Sequence, residues 1–171
     1  MSQTNSGQQE LTVDSRLKEV ETILDSFDKS VGLSYIKFNA DVESILQLKL
    51  EELRALDETD CGSFSYCLAQ YSSFLQKEIN RHSAKLKWAN HNLDIIVAKV
   101  YNNYGDKYMK ADTKRSLVIN DDSYAKALNK IVLEATLRIE ELSFLSSRIN
   151  VQSEILRELQ KTKRAEKYER S

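Results

Sequence analysis

Apolar residues recur along this chain at steps of three and four, the spacing that keeps them on one stripe of a helix. The clearest run is Leu86, Ala89, Leu93, Ile96 and Val100. It lies within a segment, Ser63 to Tyr104, that has neither proline nor glycine. Upstream in the same segment, Phe64, Leu68, Tyr71, Leu75, Ile79 and His82 extend the stripe, with a stutter between Leu68 and Ile79 that would locally unwind a left-handed supercoil. The pattern predicts a long helix with Ser63 as its N-cap and Gly105 as its stop. A second long helix is predicted from Ser123 onward, with Leu128, Ile131, Ala135, Leu142, Leu145, Ile149, Leu156 and Leu159 on its seam and Arg138 and Gln152 interrupting it. Fewer than twenty residues join the two, so an antiparallel hairpin is the simplest arrangement. The joining residues comprise a mostly polar short helix or loop over 106–119 and a turn at Asn120–Ser123.

Shorter helices are expected ahead of the hairpin. Val13–Asp28 places Leu17, Val20, Leu24 and Phe27 on one face. A connector over Ser30–Asn39 contains Gly32. Ala40–Asp57 carries Val42, Ile45, Leu46, Leu53 and Leu56, with Leu48 and Leu50 off that stripe, and Asp57–Gly62 breaks the pattern. The expected organisation is a disordered lead-in (1–12), acidic N-terminal helices (13–60), a long helical hairpin (61–165) and a frayed tail (166–171). The fold class is all-α, with the hairpin oligomerising through coiled-coil-like seams. Leu128, Ile131, Leu142, Leu145 and Ile149 are the expected contacts between protomers.

Composition agrees with long helices: 171 residues, no proline, four glycines, 41% hydrophobic and 30% charged. Charge adds what periodicity does not show. The net of −1 conceals thirteen acidic against six basic residues over 1–60, and nine basic against four acidic over 61–120. The middle segment therefore favours an anionic partner, or the chain's own acidic end. Cys61 and Cys67 have no disulfide framework around them and read as thiols of a reducing compartment. A polar N-terminus and the absence of an 18-residue apolar run lead us to expect neither a signal peptide nor a membrane span.

Catalysis finds little support. His82 and His91, nine apart on one helix, point to opposite sides and do not share a metal. No Cys-x-x-Cys, His-Glu-x-x-His or glycine-rich phosphate loop is present. We expect no enzyme, cofactor or metal.

The basic residues are more informative. Lys77, Arg81 and Lys85 recur every four residues, and the same line reaches Trp88, Asn92 and Lys99. Tyr101, Tyr104, Lys107, Tyr108, Lys110, Lys114 and Arg115 follow. Cations track phosphates and aromatic faces stack on unpaired bases, so the mixture suits a single strand. The competing reading is that Lys77, Arg81 and Lys85 answer the acidic N-terminal third, while Trp88 and the tyrosines pack at the hairpin bend. As an interfacial membrane helix the apolar stripe is too narrow.

Tyr71-Ser72-Ser73-Phe74-Leu75, then Asn80-Arg81-His82-Ser83-Ala84-Lys85, resembles the central helix of the UvsY family of phage recombination mediators. Ala98-Lys99-Val100-Tyr101 through Tyr104-Gly105-Asp106 corresponds to that family's basic, tyrosine-containing turn, and a long C-terminal helix follows. The likeness covers roughly residues 71–160. Spacing between the first two elements differs by about one helical turn, Val97 stands where the family has a second basic residue, and the acidic N-terminal segment is longer. The resemblance implies a small, helical, non-enzymatic homo-oligomer that binds single-stranded DNA. It also implies action beside a recombinase and a single-strand-binding protein, in the cytoplasm of a bacterial host. The alternative is a structural or adaptor protein, such as a virion or scaffold component, that binds protein only.

Overall fold

The computed structural model describes residues 12–35, 41–100, 103 and 109–169. Among them every regular element is helical and none is a strand. The helices are α1 (Val13–Ser30), α2 (Asp41–Leu46), α3 (Leu50–Ala55), α4 (Glu58–Val100), α5 (Ala111–Asp121) and α6 (Ser123–Glu169), with a 3-10 turn at Leu33–Tyr35. The long helix α4 packs against the C-terminal helix α6, as the apolar periodicity required.

Several boundaries differ from expectation, each for a local reason. The long helix starts at Glu58, because the Asp57 carboxylate accepts the Asp60 N–H at 2.7 Å and so caps the first turn. Ser63 is therefore an interior residue. Gly62 also lies inside α4, where a methyl group would meet the side chain of Gln160 on α6. The single helix expected over Ala40–Asp57 is two, α2 and α3. A break over residues 47–49 lets Leu46, Leu48, Leu53 and Leu56 all reach one core cluster, and the Glu52 carboxylate accepts the Lys49 N–H at 2.7 Å to start α3. The turn before α6 shrinks to Asp122, whose carboxylate accepts the Ala125 N–H at 2.8 Å. At the far end α6 is helical through Glu169. Residues 1–11 of the expected lead-in and the stop at Gly105 lie outside the described residues.

The chain divides into two compact units, one taking the chain up to Phe27 with Ala84–Ala135, the other Asp28–Ser83 with Thr136–Ser171. In the second unit, Cys61, Leu68 and Leu75 of α4 meet Ile149 and Leu156 of α6, all at most 2% exposed, with Val42 and Ile45 of α2 against them. Serines sit within this apolar interface. The Ser65 hydroxyl lies 3.1 Å from that of Ser153, and one heptad along α4 the Ser72 hydroxyl lies 3.2 Å from that of Ser146, one heptad back along α6. That register is antiparallel. Small hydroxyl residues let the backbones approach, and each hydroxyl finds a partner, as a buried polar group must.

In the first unit Ala89 and Leu93 of α4, Val118 of α5, and Ala125 and Leu128 of α6 form a core with Val13 of α1. Ile96 and Val100 pack against it, so the sequence-predicted run is the buried side of this part of α4.

Candidate nucleic-acid interface

The basic line on α4 is built by a four-residue repeat on a regular helix, which stacks Lys77, Arg81 and Lys85 one turn apart. Each has a partner from the acidic N-terminal region. The Arg81 guanidinium donates to the Asp28 carboxylate at 2.8 Å, with side chains only 19% and 10% exposed. The Lys85 ammonium donates to the Glu21 carboxylate at 2.6 Å, where the carboxylate is 42% exposed. Lys77 donates to the backbone carbonyl of Leu33 at 3.4 Å, and its ammonium lies 5.8 Å from the centre of the Phe74 ring. The α1 carboxylates thus occupy Arg81 and Lys85 on this edge.

The other residues expected to touch a strand are dispersed. Trp88 is half-buried against the core of its unit. Lys114 is 5% exposed. Arg115 donates to the Asp94 carboxylate and, at 3.5 Å, to the Asn90 side-chain carbonyl. Lys99 and Lys110 are exposed. Tyr101, Tyr104, Lys107 and Tyr108 lie outside the described residues. Lys77 and Arg81 thus lie on α4 in the second unit, and Lys85 lies on α4 in the first. The structure turns Trp88 and Lys114 inward.

The residues expected between protomers are also turned inward. Leu128 and Ile149 have no exposed surface, and Ile131, Leu142 and Leu145 pack against the same chain's cores. Two other features are not among the expected ones. One is the serine pairing, signalled by Ser65 and Ser72 and by Ser146 and Ser153 at seven-residue spacing. The other is an exposed apolar stripe on α6 that includes Leu137, Phe144 and Val151, at 60%, 67% and 59% exposure.

His82 is half-buried and His91 exposed. Among the described residues no group of three His, Cys, Asp or Glu side chains is placed to hold a metal ion. Both cysteines are thiols. Burial pushes the Cys61 thiol above its ordinary pKa, with Asp57 and Asp60 adding to the rise and Lys163 opposing it. No described helix is long and apolar enough to cross a membrane. No family model matches the chain, and no curated protein and no solved structure is significantly similar to it.

Proposed function

We propose that this chain is a non-enzymatic, single-stranded-DNA-binding recombination mediator whose DNA-binding edge is the basic line of α4. The observation that carries the reading is that this edge already holds anions in a row. Asp28 and Glu21 sit on Arg81 and Lys85. A strand of phosphates offers the same contacts with more charge, and it recovers entropy by releasing counterions, which two carboxylates do not. In this reading α1 is a resident competitor, and Lys99 and Lys110 make the first contacts with the strand. The resemblance over residues 71–160 supports the same class, with a recombinase and a single-strand-binding protein as protein partners, a homo-oligomeric state and the cytoplasm of a bacterial host as the setting.

The test is fluorescence anisotropy of a labelled single-stranded oligonucleotide, titrated with the full chain at about 50 mM salt, where phosphate contacts are strong, and again at about 200 mM. Binding should weaken steeply with salt, and Lys77→Gln with Lys85→Gln should flatten that slope by about one unit for each phosphate the variant no longer neutralises. No binding at the lower salt overturns the reading. A second reading is favoured by the same ion pairs taken as permanent: an adaptor or scaffold protein in which α1 simply closes the helical body. Its mark would be protein binding that is nearly indifferent to salt.

A further inference from the structure

Along α6 the residues Leu137, Glu140, Phe144, Arg148 and Val151 are separated by three, four, four and three positions, a spacing that reads the same in both directions about Phe144. At about 100° per residue all five lie within about 40° of the direction of Phe144, so they form one face of the helix. All five are exposed. Large apolar side chains recurring on one exposed helix face are unusual for surface positions, and charged neighbours on the same face say what covers them.

Reversal of this face exchanges Glu140 with Arg148 and Leu137 with Val151, and leaves Phe144 in place. A helix laid antiparallel on a copy of itself, with the two-fold axis at Phe144, therefore sets Leu137 against Val151 twice, Glu140 against Arg148 twice, and the two Phe144 rings against each other. A parallel pair in register would instead set Glu140 on Glu140 and Arg148 on Arg148, which repel. Within one copy the Arg148 guanidinium already lies 5.9 Å from the centre of the Phe144 ring. Beyond Val151 the apolar surface continues into a shallow groove of about 590 Å³ that includes Ile155.

We infer that this face of α6 is an isologous docking surface for a second copy of the chain, paired antiparallel about Phe144. The inference stands apart from the nucleic-acid reading, since neither Lys77, Arg81 nor Lys85 takes part. The face spans about 21 Å at about 1.5 Å per residue, which is short for a standard interface of about 800 Å² per partner. Association is therefore expected to be reversible and to depend on concentration.

Sedimentation velocity of the full chain over a range of concentrations reads the mass directly. Dimer should accumulate as concentration rises. Glu140→Arg alone and Arg148→Glu alone should each weaken dimerisation about tenfold or more, because each sets like charges across the axis. The two together should restore it, because the exchanged pair is complementary again. Phe144→Ser should abolish it while far-UV circular dichroism stays unchanged. A monomer at every concentration, or a dimer indifferent to the single reversals, or a double reversal that fails to recover association, overturns the inference. Failure of single-strand binding in the same preparation would leave this result unaffected, so the two readings are separable.

Discussion

Two of the elements that meet α4, α6 and α1, hold it by different physics. In the second unit α6 meets α4 through an apolar seam of Cys61, Leu68 and Leu75 with hydroxyl pairs between them. By contrast, α1 and the 3-10 turn after it meet Lys77, Arg81 and Lys85 through carboxylates and one carbonyl. Hydrophobic burial is non-directional and nearly independent of salt, whereas partly exposed ion pairs are screened and exchangeable for other anions. The difference teaches where exchange would occur under the proposed function: the α4–α6 pair is the frame, and the ion pairs on the α1 side are the contacts that another anion would replace.

That contrast can be broken at the frame first. Leu68 is wholly buried, so Leu68→Ala should cost about 2–5 kcal/mol in urea unfolding, equally at low and high salt. The next effect belongs to the ionic side. Asp28→Ala removes the carboxylate 2.8 Å from the largely covered Arg81 guanidinium and should cost about 1–3 kcal/mol, with the loss shrinking as salt rises. A salt-independent loss would show that Asp28 acts by packing instead.

The hydroxyl pairs sharpen the comparison from within the frame. Ser65→Ala removes one hydroxyl of a buried pair, while the Ser153 hydroxyl keeps the Ser65 backbone carbonyl as its acceptor, and should cost about 1 kcal/mol; Ser65→Ala with Ser153→Ala should cost less than the two singles together, because the hydroxyl–hydroxyl contact that each single removes is lost only once. Lys85→Ala should be the smallest, below about 1 kcal/mol, because its Glu21 partner is 42% exposed and screened. The pH response follows from Cys61. Its thiol holds its proton more tightly when folded, so the unfolded chain ionises first. Stability should be full below about pH 8.5 and fall as pH rises above it. Cys61→Ala should remove that alkaline slope, and at neutral pH a thiol reagent should label Cys67 before Cys61.

Much of this frame is legible in the sequence, because three-and-four spacing is a direct record of which residues face inward. Ala89, Leu93, Leu128, Ile149 and Leu156 are all buried as their periodicity required. What periodicity does not record is which chain supplies the opposite wall. For that reason the pattern alone places Leu128 and Ile149 between protomers, yet they close against the same chain. Caps and breaks are less legible. Asp57 outcompetes Ser63 as a cap, and the pair Leu48 and Leu50, off the stripe, signals the break between α2 and α3. The candidate site is half legible. Charge segregation raises the pairing of the acidic end with the basic line, but it does not name Asp28 and Glu21, because ion pairing carries no sequence period.

If α1 and a nucleic-acid strand compete for one edge of α4, the most direct measurement compares single-strand affinity of the unaltered chain with that of Glu21→Gln combined with Asp28→Asn. Neutralising the two carboxylates should tighten binding at low salt, with the gain fading as salt rises. Equal affinity in both proteins, or no binding by either, would contradict the competition.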